Sequence, residues 1–181
     1  MLFRSRQAQK LSVIHLSALR LLNLINQILE FRKTETQNKK LCVCKGNIVP
    51  LIHEIGLKYK ELNQKKAIDF QIQIEKEEMP LFFDKEIITI ILDNLISNAI
   101  KYTEQGKITL SLYPTTRNGV TYTEIKVSDT GYGISAEALP HVFDRYYQES
   151  GKHQASGTGI GLALVRNLVE LHEGEIRVES K

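Results

Sequence analysis

The chain has 181 residues, 42% of them hydrophobic, which supports a packed core and excludes a wholly disordered polypeptide. Lys and Arg number 24 against 21 Asp and Glu, a formal net charge of +3. That excess is too small to point to nucleic acid, whereas a bound anion such as a nucleotide would need only local positive charge.

The first segment repeats Leu11, Ile14, Leu21, Leu24, Ile25, Ile28 and Leu29 at spacings of three, four and seven, with Leu16, Leu19 and Leu22 widening the stripe. This pattern predicts a helix of about 25 residues that must bury its apolar side against a partner helix, in another chain or outside this sequence. The polar run Arg32 to Lys40 predicts a linker. Leu41 and Val43 then alternate as in a short strand, and Cys42 and Cys44 share one face of it. Thiols this close rarely pair, and two alone make a poor zinc site, so two reduced cysteines are expected. Gly46-Asn47 should break the strand, with Asn47 capping a helix that has Pro50 in its first turn and carries Ile48, Ile52, Ile55, Leu57 and Leu62. Ile68, Phe70, Ile72 and Ile74 alternate with polar residues as a half-buried strand, and Leu81-Phe82-Phe83 reads as a short buried one.

Asp84 is placed to cap a long apolar helix from about Lys85 to Tyr102. Strands follow at about Lys107 to Tyr113 and Tyr122 to Asp129, joined by a hairpin turn at Asn118-Gly119. Gly131 to Gly161 is rich in glycine and polar residues, Gly161 to His172 reads as a helix, and Glu175 to Glu179 as a strand. Helices and strands in this order predict a two-layer α/β sandwich. No apolar run reaches the roughly 18 residues a bilayer requires, and the start has no signal-type apolar core, so a soluble, cytoplasmic piece is expected.

Three clusters carry chemistry. Asn94 and Asn98 lie four apart and Lys101 three further on, one stripe of an otherwise apolar helix. Amide oxygens suit a hard cation and an ammonium suits phosphate, although a solvated helix face would look the same. Asp129 ends a strand and is followed by Gly131 and Gly133, so a carboxylate can meet an amino group while the backbone approaches a flat ligand. A simple turn before a helix is the alternative reading. Gly157, Thr158, Gly159, Ile160, Gly161 and Leu162 lead into the helix of Leu164, Val165, Leu168 and Val169, an arrangement of backbone N–H groups that suits an anion. The P-loop ending of Gly-Lys-Ser/Thr is absent.

In order, Asn-x-x-x-Asn-Ala-x-Lys-Tyr, Asp-x-Gly-x-Gly, Val-Phe-Asp-Arg-Tyr-Tyr (Val142 to Tyr147) and Gly-Thr-Gly-Ile-Gly-Leu resemble the N, G1, F and G2 boxes of sensor histidine kinases. The wording is most similar to hybrid two-component sensors of the Bacteroides type. The resemblance covers at least Asn47 to Lys181 and implies the Bergerat ATP-binding sandwich, with a mixed sheet, shared with gyrase, Hsp90 and MutL. It implies that Asn98 ligates a Mg²⁺ bridging the phosphates of ATP, with Asn94 near them, Lys101 on phosphate and Tyr102 beside the adenine. Asp129 would take the adenine amino group, and Gly131 and Gly133 would give close approach. Arg145 would reach toward the γ-phosphate, residues 148–156 would form the ATP lid, and Gly157, Gly159 and Gly161 would cradle phosphate. The same boxes bring Ile134, Tyr146, Thr158 and Leu162 to the nucleotide.

Arg20 to Lys33 is similar to the second helix of the family's dimerisation and phosphotransfer domain. The implied organisation is residues 1–36 from that domain and 37–181 as the catalytic domain without its final strand. Partners implied are a second copy through the first helix and a response-regulator receiver domain, on a parent anchored in the inner membrane. Two departures stand out. No histidine sits in a His-Glu-x-x-Arg-Thr-Pro-like acceptor box; His15 is followed by Leu16-Ser17-Ala18-Leu19, and His53, His141, His153 and His172 also lack it. Ile90 stands four residues before Asn94, where gyrase-type ATPases carry the Glu that activates water, so efficient hydrolysis is not expected.

Overall fold

The apolar periodicity of the first segment folds as one helix, α1 (Leu2–Glu35, 34 residues), in a computed structural model that describes residues 2–35, 40–63, 67–149 and 158–180. The helix runs past the end expected from the apolar stripe. Arg32 and Lys33 fall in its last turn, where cations offset the carbonyl end of the helix dipole, and Lys33 also pairs with Glu30 at 2.6 Å. Residues 36–39 of the expected linker lie outside the described residues. Leu11, Ile14, Leu19, Leu21, Leu22, Ile25, Ile28 and Leu29 are exposed within this chain, and among the described residues of the helix Phe31, near its end, is the one that enters the core.

The next strand, β1, spans Cys44–Asn47 rather than Leu41 to Val43, and Gly46 lies inside it. Pairing decides this. The strand is antiparallel to β3 (Pro80–Phe83), with Cys44 opposite Phe83 and Gly46 opposite Leu81. A Cβ at Gly46 would sit 3.6 Å from the Phe83 ring, an ordinary packing distance. Cys42 and Cys44 are free and exposed. The Asn47 side-chain oxygen accepts from Val49 N at 3.2 Å and from Met79 N at 3.0 Å, tying the start of α2 (Val49–Leu62) to the β3 side. In α2, Leu51, Ile52, Ile55 and Gly56 are buried, while Leu57 and Leu62 are exposed. Phe82, expected to be buried, is 68% exposed, because β3 alternates its faces.

The second sheet has the order β2 (Ile68–Ile74), β4 (Gly106–Arg117), β5 (Val120–Asp129). β2 and β4 are parallel and β4 and β5 antiparallel, so the sheet is mixed as expected. β4 and β5 run right up to a two-residue turn at Asn118 and Gly119, both at positive φ (50° and 78°), the type I′ hairpin geometry. Between β3 and β4 in sequence, α3 (Lys85–Tyr102) starts at Asp84, whose carboxylate accepts from Ile87 N at 3.1 Å. Ile52, Ile55, Leu92, Ile96, Ile108, Leu110 and Leu112 form the core between α2, α3 and the sheet. A second apolar cluster joins Phe31 of α1 and Ile87 and Ile91 of α3 to Ala163, Leu164, Val165 and Leu168 of α4 (Gly161–Leu171).

Residues 175–179, expected as a strand, form none. The segment is held by side chains instead of a ladder: Glu175 pairs with Arg117 at 3.7 Å, and the Ser180 hydroxyl accepts from Ile134 N at 2.7 Å. Among the described residues no helix is long and apolar enough to cross a membrane.

Candidate nucleotide site

The described residues of the three clusters lie along α3 from Asn94 to Tyr102, at the end of β5 and at the N-terminal end of α4. On α3, Asn94 is buried (8% exposed), so the solvated-face reading fails there. Its Nδ2 donates to the Ile90 carbonyl at 2.8 Å, and its Oδ1 lies where a Cβ on Gly161 would come within 2.9 Å. Glycine at 161 thus lets the start of α4 close on α3. Asn98, one turn on, is half-buried and its amide makes no hydrogen bond among the described residues, leaving its oxygen for a hard cation. Lys101 lies over the Tyr102 ring, Nζ 4.5 Å from the centroid, and donates to the Tyr102 hydroxyl at 2.9 Å.

Asp129 ends β5 beside the end of α3. Its Oδ1 accepts from Gly131 N at 2.9 Å and from the fully buried Thr103 hydroxyl at 3.5 Å. Both protein donors share one oxygen, so Oδ2 of an exposed carboxylate keeps its acceptor capacity. The turn that follows is tight. A Cβ at Gly131 would lie 2.4 Å from the Tyr102 carbonyl, which itself accepts from Tyr132 N at 3.3 Å. Gly133 has φ 73°, a conformation that favours glycine. The neighbouring Tyr132 phenol is held above its ordinary pKa by its hydrogen bond to Glu104.

Beyond it, Val142 to Tyr147 follow a short 3-10 turn at Leu139–His141. Tyr146, at φ 61°, donates its N–H to the Gly159 carbonyl at 2.8 Å. A Cβ on Gly159, itself at φ 66°, would come 2.6 Å from the Tyr146 backbone. Thr158 Oγ1 accepts from Ile160 N at 3.3 Å, and the first helical bond of α4 is Leu164 N to Ile160 O. The N–H groups of Gly161, Leu162 and Ala163 therefore precede any intrahelical partner, the chemistry of an anion site. Arg145 is engaged with the first helix: its guanidinium sits 5.0 Å above the Phe31 ring of α1, beside Ala163 and Asn167 of α4. Gly157 and residues 150–156 of the expected lid, His153 included, lie outside the described residues. Among the described residues no His, Cys, Asp and Glu cluster could hold a metal.

Two residues went unremarked in the sequence. Thr103 directly follows the N box, and nothing in its spacing ties it to Asp129. Gln27 interrupts the apolar α1 segment, which was a signal; its Nε2 donates to Asn94 Oδ1 at 3.3 Å.

The arrangement is that of a nucleotide-binding α/β sandwich. Residues 83–181 match the family of histidine kinase-, DNA gyrase B- and HSP90-like ATPases. The chain belongs to that family, and within it is an ATP-binding catalytic domain of the sensor histidine kinase type. It is 35% identical over 179 residues to histidine kinase P4 of Formosa agariphila, covering 96% of this chain and 13% of that protein. It is 35% identical over 168 residues to the aerobic respiration control sensor protein ArcB homolog of Haemophilus influenzae, covering 91% of this chain and 50% of that one. The chain thus spans half or less of these relatives. Full-length ShkA in complex with AMPPNP shares the fold with a TM-score of 0.76 and 24% identity, over 92% of this chain and 34% of that one. The catalytic domain of histidine kinase ThkA matches at TM-score 0.55 and 27% identity, over 71% of this chain and 80% of that one.

Proposed function

We propose that this domain holds Mg-ATP for transfer of the γ-phosphoryl group to a histidine of its parent protein, for relay to an aspartate on a response-regulator receiver domain. The observation that carries the reading is Asp129: a carboxylate with both protein donors on Oδ1 offers Oδ2 to the amino group of adenine. Tyr102, Gly131, Gly133 and Ile134 line the base, and Lys101, Asn94, Thr158, Gly159, Gly161 and Leu162 the phosphates, with Gly157 beside them. Arg145 and Tyr146 close the γ-phosphate end. Asn98 supplies an oxygen to Mg²⁺, which would neutralise charge on the phosphates.

Binding and orientation are the work of this chain's own groups. Backbone N–H groups at the start of α4 stabilise negative charge that grows on the phosphates during transfer. Position 90 gives no base to activate water, since Ile90 contributes only a carbonyl, already bonded to Asn94. The nucleotide is accordingly kept for a histidine nucleophile. Residues 1–36 serve as part of a dimerisation helix whose exposed leucines and isoleucines meet a second copy, and residues 37–181 as the catalytic domain. The domain works in the cytoplasm on a parent anchored in the inner membrane, and nucleic acid is not among its ligands.

The test is to add the chain, with labelled ATP and Mg²⁺, to a separate protein carrying a complete dimerisation domain with its acceptor histidine. Acid-labile, base-stable label on that histidine is expected. Rapid release of inorganic phosphate without phosphohistidine would contradict the reading.

A further inference from the structure

α1 has two distinct faces. Its exposed leucines and isoleucines lie on one; Gln27, Phe31 and Thr34, at spacings of four and three, lie on the other and touch the catalytic unit. Gln27 bridges two boxes, donating to Asn94 Oδ1 at 3.3 Å and accepting from Thr158 Oγ1 at 3.5 Å. Phe31 is buried beneath the Arg145 guanidinium. Thr34 accepts from Asn167 Nδ2 of α4 at 3.4 Å.

The residues so engaged are not a random sample of the site. In the nucleotide reading Asn94, Thr158 and Arg145 serve the phosphate end, while among the described residues no α1 side chain bonds Asp129 or Gly131 at the base end. Asn94 Nδ2 is held by Ile90 O and one lone pair of Oδ1 by Gln27, so the amide cannot rotate toward a new ligand without losing one of these contacts. Arg145 must likewise leave the Phe31 face to reach an anion.

We propose that Gln27, Phe31 and Thr34 form a latch that competes with the γ-phosphate for Asn94, Thr158 and Arg145. The inference rests on the nucleotide reading above. Docking of α1 and binding of a triphosphate are then negatively linked, and each weakens the other by the same factor. A diphosphate lacks the group with which the latch would compete and is expected to feel it far less. The helix that carries the apolar, exposed face is thereby coupled to loading of the site.

The experiment locks the latch in the full chain. Thr34→Cys and Asn167→Cys are combined with Cys42→Ser and Cys44→Ser, and Mg-AMPPNP and Mg-ADP are titrated by calorimetry before and after mild oxidation. Reduced protein is expected to bind both nucleotides, and the disulfide to weaken AMPPNP about five-fold or more with a much smaller effect on ADP, reversed by reductant. In the native background, Gln27→Ala is expected to tighten AMPPNP selectively. A bond that forms and leaves AMPPNP affinity unchanged, or weakens both nucleotides equally, overturns the latch alone. So does a disulfide that fails to form, or a Gln27→Ala chain that binds AMPPNP more weakly. Reduced protein that binds neither nucleotide overturns the nucleotide reading and the latch with it.

Discussion

Gly131 N–H donates to Asp129 Oδ1 at 2.9 Å, and the same glycine is wedged so closely on the end of α3 that a Cβ would lie 2.4 Å from the Tyr102 carbonyl. The turn thus aims a carboxylate with one oxygen engaged and the other open. Asp129→Asn replaces an acceptor-only group by an amide that can present N–H to an amino group. Loss of one charge-assisted hydrogen bond is worth about 1.5–3 kcal/mol, roughly ten-fold or more in affinity. Calorimetric titration with ADP should show that loss, with the melting temperature little changed. Unaltered affinity would count against the base-end assignment.

Gly159 and Gly119 both sit at positive φ, 66° and 78°, yet only Gly159 is crowded. Alanine at 119 meets nothing within 4 Å and should cost about 1–2 kcal/mol of backbone strain. At 159 the added methyl would strike the Tyr146 backbone at 2.6 Å, so Gly159→Ala should destabilise by more than Gly119→Ala and also weaken nucleotide binding. Urea denaturation ranks the two variants, and titration separates them.

Asp84 joins three elements. Its carboxylate caps α3 through Ile87 N and accepts from Cys42 N at 2.8 Å, and its own N–H donates to His172 Nε2 at 3.0 Å. Asp84→Ala removes both carboxylate bonds at a site 5% exposed. A cap alone is worth about 0.5–2 kcal/mol, so the loss should reach at least the upper part of that range. A denaturation midpoint equal to wild type would show that the cap is not used.

Leu110 is fully buried between the sheet and the helices, whereas Phe82, also apolar and in a strand, is 68% exposed. Leu110→Ala should destabilise by about 2–5 kcal/mol and Phe82→Ala by about 0.5 kcal/mol or less. Equal losses would mean that Phe82 is covered in solution.

Long periodic elements were legible because one physical signal dominated each. The alternation of Ile68 to Ile74, the Asp84 cap and the Asn118-Gly119 turn all appear where the residues put them. Phe82 and the placement of β1 were not legible, since three apolar residues in a row hide a period of two and Gly46, which reads as a breaker, pairs with Leu81 inside the strand. At the site, the boxes show which residues converge but not how each is engaged. The contact of Arg145 with Phe31 spans more than a hundred positions and depends on how α1 meets α4, which no local pattern encodes. Thr103 reached Asp129 in the same way, through the meeting of a helix end and a strand end.

The most direct test of the account is calorimetric titration of the full chain with ADP in Mg²⁺ and in excess EDTA, repeated with Asn98→Ala. The account predicts one saturable site whose affinity falls when Mg²⁺ is removed, and an Asn98→Ala chain in which that dependence is gone. No binding by the wild-type chain, or full Mg²⁺ dependence in Asn98→Ala, would contradict it.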